Sequence, residues 1–364
     1  MADSVLECMV RCLQEHTGNP AAGPAGPART LIAAASETIA TLIDADPASV
    51  VYTSGATEAD NAAVFGGVRL KPQGSEIVSA RTEHAAVLEA LAKLRDEGGY
   101  TLRWCPLNAH GQVEPEALRA VLSEKTALVS LMLVNNETGV IQDIPALAAV
   151  CRERGIPMHV DAAQAAGRVP IRFNAWGIDA LSLSAHKQHG PVGIGALVLK
   201  EPWLWRPWVL GGGQQRGLRS GTLPVAQIVG MGEAYRLAAL DEQSAHFSAL
   251  TERLWAGIAH LPQVRLNAAA APRAGHILSV SFDEVDGDAL HALLAQQLWV
   301  SRGSACHSES GEPSKVLRGL GLSDALMQAT VRFSVGRTTT TADIDVAIDV
   351  VTRAHAHLWR LAGL

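Results

Sequence analysis

Four short stretches combine residue types and spacings that suit chemistry. Thr53-Ser54-Gly55-Ala56-Thr57-Glu58-Ala59-Asp60-Asn61 follows a strand-like run and opens a helical one. Backbone N–H groups at a helix start, with the Thr57 hydroxyl, suit a phosphate. The same residues also read as a Thr57-x-x-Asp60 capping box. Met158-His159-Val160-Asp161-Ala162-Ala163-Gln164 sets an acid at the C-terminal end of a second strand-like run, where open α/β sheets bind ligands. There Asp161 either keeps a pyridinium nitrogen protonated or caps the next helix. Ser182-Leu183-Ser184-Ala185-His186-Lys187 ends a third run with a lysine. Buried, its amine would have a depressed pKa and would form a Schiff base; solvated, it is an ordinary loop lysine. Small polar residues from Ser301 to Ser314 surround Cys306, as expected of an exposed loop with either a reactive thiol or an incidental one.

The order of these signals (phosphate loop, strand-end acid, strand-end lysine) spells a site for pyridoxal 5'-phosphate (PLP). The elements around them fit. Strand-like runs at Val50–Thr53, Glu76–Ser79, Ala127–Val134, Met158–Val160, Ala180–Ser184 and Gly195–Leu199 alternate with helical ones. Several are apolar on both faces, the mark of parallel strands covered by helices. A helix is expected through about Gln14, an irregular segment dense in Gly and Pro from Gly18 to Pro27, and a second helix over Ala28–Ile43. From about Gly230 a long Ala/Leu-rich helix runs to Leu261. Strands at His276–Phe282 and Ala329–Ser334 and helices near Asp288–Leu298 and Asp343–Leu361 follow. The reading is a large α/β domain over 15–235 and a small α+β domain over 236–364, joined by 1–14 and carrying the Cys306 loop.

Composition narrows the function. The chain has 364 residues, 30 Lys plus Arg against 36 Asp plus Glu, and a net charge of −6. No basic run or aromatic pattern calls for nucleic acid, and no apolar stretch approaches the ~20 residues of a membrane span. The five cysteines form no secreted disulfide framework, and no basic, apolar leader opens the chain, so a soluble cytoplasmic protein is expected. Cys8, Cys12 and His16 recur about one helical turn apart. They lack a fourth ligand and match no zinc spacing, so no metal site is expected. Cys8, Cys12, Cys105 and Cys151 read as packing residues.

Together the motifs resemble those of cysteine desulfurases, the NifS/IscS-like class within the class V aminotransferase family. The resemblance is carried by Thr53–Ala59, Glu83-His84-Ala85-Ala86-Val87-Leu88, Asn135-Asn136-Glu137-Thr138-Gly139 and His159–Gln164. It continues through Ser182–Lys187, Gly211-Gly212-Gly213-Gln214, Arg219-Ser220-Gly221-Thr222, Gly303-Ser304-Ala305-Cys306, Glu312-Pro313-Ser314 and Val331-Arg332-Phe333-Ser334. It implies a PLP-dependent transferase of fold type I: a mostly parallel mixed sheet covered by helices, with a smaller α+β domain, in a homodimer.

By that resemblance Lys187 holds the cofactor as a Schiff base, Asp161 pairs with its ring nitrogen, Gln164 bonds its phenolate oxygen, and His84 stacks on the ring and acts catalytically as a proton shuttle. Ala56, Thr57, Ser184 and His186 hold the phosphate, joined by Thr222 of the partner subunit. Asn136 and Arg332 bind the α-carboxylate of L-cysteine. Lys187 moves the Cα proton, and Cys306 takes the sulfur as a persulfide for a scaffold or carrier protein, in iron–sulfur cluster assembly or thiolation, leaving alanine. A selenocysteine lyase, another class V enzyme or a degenerate paralogue acting in sulfur relay would share much of this set.

The sequence departs from the family pattern in places. The opening residues are helical where relatives carry an extended segment near the active site. Ala21-Ala22 and Pro24 stand for a Ser pair and a His, Leu223-Pro224 for Glu-Asn, Val192 for Lys, and Arg302 for Ser.

Overall fold

The computed structural model describes residues 1–15, 19, 26–68, 72, 74–238, 240–302 and 314–363. Cys306 with all of 303–313, His16, and the Gly/Pro-rich stretch 20–25 lie outside the described residues. The chain divides into two compact units.

Unit 1 comprises Met1–Pro106, Val113–Leu133 and Asp143–Leu240. Its sheet contains β1 (Val50–Thr53), β2 (Glu76–Ser79), β3 (Thr101–Trp104), β4 (Thr126–Met132), β5 (Met158–Asp161), β6 (Ala180–Ser184) and β7 (Gly195–Leu199), in the order β1-β7-β6-β5-β4-β2-β3. All neighbours pair parallel except β7, which is antiparallel to both β1 and β6. Strands β1 and β4 to β7 are buried along their whole length, as runs apolar on both faces require.

Around the sheet lie α1 (Asp3–Glu15), α2 (Pro27–Ile43), α3 (Ala56–Val68), α4 (Ala85–Asp96), α5 (Pro115–Val121), α6 (Ile144–Glu153), α7 (Phe173–Trp176) and α8 (Val225–Arg236). Helix α3 is the inner one. Ala59, Ala62, Ala63 and Gly67 let it approach the sheet closely, and a Cβ on Gly67 would meet the Trp205 ring at 3.0 Å. Beyond its first turn nearly every residue is buried, so the helix shows no solvent-facing polar stripe there.

Unit 2 comprises Leu107–Gln112, Val134–Gln142 and Asp241–Leu364. It adds α9 (Leu240–Ile258), β8 (Val264–Leu266), β9 (Ile277–Phe282), α10 (Gly287–Leu294), β10 (Ser301–Arg302), α11 (Lys315–Gly319), α12 (Asp324–Gln328), β11 (Thr330–Ser334) and α13 (Thr341–Leu361). The strands form an antiparallel sheet in the order β10-β11-β9-β8. Its core joins Phe247, Leu254, Val280, Phe282, Val331 and Val351.

Three expectations need correction. The long helix from Gly230 is two, α8 and α9, broken at Leu237–Ala238 without a Gly or Pro to announce it, because the halves belong to different units. Helix α1 belongs to unit 1, where Val5 and Cys12 are its buried face and it packs on α8. Segments 107–112 and 134–142 leave the large domain for unit 2: Asn135 to Gln142 makes its backbone pairings with 272–274, at Ile141–Pro272, Val140–Arg273 and Gly139–Ala274. Among the described residues, no helix is long and apolar enough to cross a membrane.

Candidate active site

Strand direction decides where the unit 1 residues emerge. Two successive antiparallel pairings, β1 with β7 and β7 with β6, leave β1 and β6 pointing the same way. Hence β1, β6, β5, β4 and β2 all end at one edge of the sheet. Thr53 and Ser184 both face Gly195, Asp161 faces Ser182, and Met132 faces Asp161. The Ser54–Thr57 turn therefore lies about two strand spacings, ~10 Å, from Ser184. A Cβ on Gly195 would meet Leu183 O at 2.5 Å and Gly55 Cα at 2.7 Å, so the close approach of β7 to the β1–α3 turn requires glycine there.

At that turn α3 begins at Ala56, with Thr57 exposed in its first turn. The expected capping box does not form. Asp60 turns inward and is 1% exposed, while Glu58 Oε2 accepts from Ser54 N at 2.7 Å. Glu58 also accepts from Trp208 Nε1 at 3.0 Å and from Arg219 Nε at 2.9 Å. Burial pushes the Glu58 carboxyl up, but Arg219, Ser54 and Trp208 outweigh it and hold it at about 2. This carboxylate ties the loop that ends at exposed Thr222 to the start of α3.

Asp161 is buried at the end of β5, where Oδ1 accepts from Ala163 N at 2.9 Å. Burial raises its pKa; the Ala163 N–H, His84 and Lys187 oppose the rise. Gln164 follows, half-buried. His84 caps α4, its Nδ1 accepting from Ala86 N at 3.1 Å, which leaves the proton of the neutral ring on Nε2. Ser184 Oγ and His186 Nδ1 are 2.8 Å apart. Lys187 lies in a short 3-10 turn after β6 and is exposed, as in the solvated alternative left open by the sequence, because that turn runs past the end of the sheet. The turn itself is fixed from below: Arg168 Nη2 donates to Lys187 O at 2.8 Å, and Gln188 Nε2 donates to Ala166 O. Sequence reasoning missed Arg168, whose only sequence signal was a charge in an apolar stretch.

Asn136 and Arg332 meet within unit 2. Arg332 on β11 donates from Nη1 to Asn136 O at 2.7 Å and from Nη2 to Ser301 Oγ at 3.1 Å. Asn135 builds the local turn that carries Asn136: its Oδ1 accepts from Glu137 N and Thr138 N, at 3.0 and 2.9 Å. Gly139, at φ +74°, lies against Ile277. Glu137, its pKa raised by burial, accepts from Ser314 Oγ at 2.5 Å. Unit 1 thus assembles Ala56, Thr57, His84, Asp161, Gln164, Ser184, His186 and Lys187, unit 2 pairs Asn136 with Arg332, and Cys306 lies outside the described residues.

Comparison with known proteins bears on this arrangement. The family model for class-V aminotransferases matches residues 1–346. The cysteine desulfurase IscS of Photorhabdus laumondii is 44% identical over 335 residues, 90% of this chain and 81% of that one. That of Pectobacterium atrosepticum is 43% identical over 373 residues, covering 100% and 91%. Among solved structures, a NifS-like protein superposes with TM-score 0.88 at 30% identity, covering 98% of this chain and 96% of the other. A structure described as SspA in complex with cysteine gives TM-score 0.82 at 31% identity, covering 92% and 95%.

Proposed function

Because the chain belongs to the class-V aminotransferase family, we propose that it is a PLP-dependent cysteine desulfurase of fold type I, converting L-cysteine to L-alanine. The observation that carries this reading is the shared sheet edge, where a helix start, a buried acid and a lysine turn emerge within a few strand spacings. The relatives' names and the cysteine complex of a structural neighbour support the substrate.

The residues present fit PLP. A buried acid at the edge, with one oxygen held by a backbone N–H, suits a ring nitrogen; a hydroxyl–imidazole pair and a helix N-terminus suit a phosphate. When bound, the cofactor supplies an electron sink for charge developing on the substrate carbon. Asp161 would hold the ring nitrogen and Gln164 the ring oxygen, and His84 would cover the ring. Ala56, Thr57, Ser184 and His186 would take the phosphate, with Thr222 of the partner subunit in a homodimer. Lys187 Nζ would anchor the cofactor, and its free amine would take the Cα proton of the substrate. Arg332 and Asn136 hold the substrate carboxylate, for which a planar guanidinium is matched.

The Cys306 thiolate then attacks the substrate sulfur. The carbon–sulfur bond breaks with its electron pair passing to the carbon skeleton, which takes a proton at Cβ and regains the one at Cα to leave as alanine, and Cys306 keeps a persulfide for an acceptor protein of iron–sulfur assembly or thiolation. Free thiols at Cys8, Cys12, Cys105 and Cys151 suit a reducing cytoplasm. The test is product analysis with cysteine under reductant. Wild type yields equal alanine and sulfide, and Cys306→Ser keeps the yellow colour but loses sulfide. Unchanged sulfide from that variant refutes the role of Cys306; formation of a keto acid instead of alanine refutes the reaction.

A further inference from the structure

Beneath Asp161 lies a row of buried polar groups that the reaction above does not use. It crosses three neighbouring strands on one face of the sheet: Ser130 of β4, His159 of β5 and Ser182 of β6. Ser130 Oγ is 2.9 Å from His159 Nδ1, and Ser182 Oγ is 2.9 Å from His159 Nε2. Asp60, reaching in from α3, closes the row with Oδ1 at 3.6 Å from His159 Nε2. No member is more than 1% exposed.

The charges that face this row come from every element around it. Glu83 and His84 lie on the segment before α4, Asp161 on β5, Lys187 after β6 and Cys105 after β3. Asp60, Glu83 and Asp161 are buried carboxyls, and they cannot all carry charge. Asp161 has a backbone N–H, His84 and Lys187 in its favour. Asp60 is hydrogen-bonded by Ser182, and Glu83 Oε1 accepts from Met132 N at 2.9 Å. Their second oxygens, Asp60 Oδ1 and Glu83 Oε2, meet no hydrogen-bond donor among the described residues, and a buried carboxylate oxygen without a donor is strongly disfavoured. His159 supplies no counter-charge, because burial keeps its ring neutral, near 3.

We propose that Asp60 is a positioning residue for Asp161, a neutral carboxylic acid ending the Ser130–His159–Ser182 row, so that the row braces strand β5 and Asp161, not Asp60, is the member of this buried pair that carries the charge. The proposal rests on the reading of Asp161 as the group that faces the cofactor ring.

The experiment compares wild type, Asp60→Asn and Asp60→Ala for PLP dissociation and for urea unfolding of the purified protein from pH 5 to 8. A buried acid that keeps its proton loses stability relative to its amide as pH rises above the unfolded carboxyl range. Asp60→Asn is therefore expected to hold PLP within about twofold of wild type. Its folded-to-unfolded ratio should gain on wild type by up to tenfold per pH unit. Asp60→Ala should weaken PLP about tenfold or more, or fail to fold, because the row loses its end. An Asn variant as weak as Ala, or a wild-type-to-Asn gap that does not change with pH, overturns the proposal by showing that the charge is needed. Ala holding PLP like wild type overturns the positioning role. A wild type that takes up no PLP refutes the cofactor reading instead, and the pH dependence still decides where the proton sits.

Discussion

Replacing Glu58 by Gln tests the best-defined electrostatic feature of unit 1. The carboxylate accepts from Ser54 N, Trp208 Nε1 and both Nε and Nη2 of Arg219, at 2.7 to 3.2 Å. Its side chain is 18% exposed and that of Arg219 22%, so solvent screens the pair only in part. A fall from the ordinary 4.5 to about 2 is equivalent to about 3 kcal/mol; allowing for that exposure, about 2 kcal/mol is expected. Because the folded value lies below the unfolded one, this stabilisation is complete above about pH 5.5 and is lost as pH falls through 4.5 toward 2. Gln keeps the shape and one acceptor oxygen but turns an amide toward a donor. Urea unfolding should therefore show Glu58→Gln less stable by about 2 kcal/mol at pH 7, with the gap about 1 kcal/mol narrower at pH 4. A gap that is the same at both pH values refutes charge as its source, and no gap at pH 7 refutes the bridge as a stabilising element.

Lys187→Ala should yield a protein that folds but shows no yellow lysine-linked cofactor in its absorption spectrum; a variant that stays yellow refutes the anchoring role. Gly195→Ala should cost about 1–3 kcal/mol in unfolding experiments, because the new methyl meets the Leu183 carbonyl and the Gly55 backbone rather than flexible side chains. It should also weaken PLP binding, read by dialysis and absorbance, while an equally hindered site elsewhere, Gly287→Ala, should destabilise without that selective loss.

The sequence made the interior strands legible because β4 to β7 are apolar on both faces. Strand β3 escaped because it is a half-exposed edge with Thr101 and Arg103 in it, and β8 and β10 because they are three and two residues long. Strand-end position marked Asp161 and Lys187 correctly as edge residues yet said nothing about depth, and the two differ: the acid is buried and the amine exposed. Asn136 and Arg332 came only from the family resemblance, since nothing local in a turn and a strand nearly two hundred residues apart announces a shared contact. Asp60 was misread for a related reason. Thr57-x-x-Asp60 has capping-box spacing, but capping was taken over by Glu58, and the neighbours that give Asp60 its role sit on β5 and β6, far along the chain.

The strand that does most to define the site contributes no candidate residue to it. Strand β7 runs against both its neighbours, and that reversal brings the β1–α3 turn to the edge where β5 and β6 end. Were β7 parallel to β6 but still antiparallel to β1, the Ser54–Thr57 turn would emerge at the opposite edge, a full strand length from Ser184. Two antiparallel pairings also require a tight return, and the chain supplies it between Lys187 and Gly195 with His189 at φ 57° and Gly193 at φ +78°. The lysine is thus presented on the very turn that the reversal demands. Its exposure and its proximity to the helix start at Ala56 then have a common cause, the direction of one buried strand.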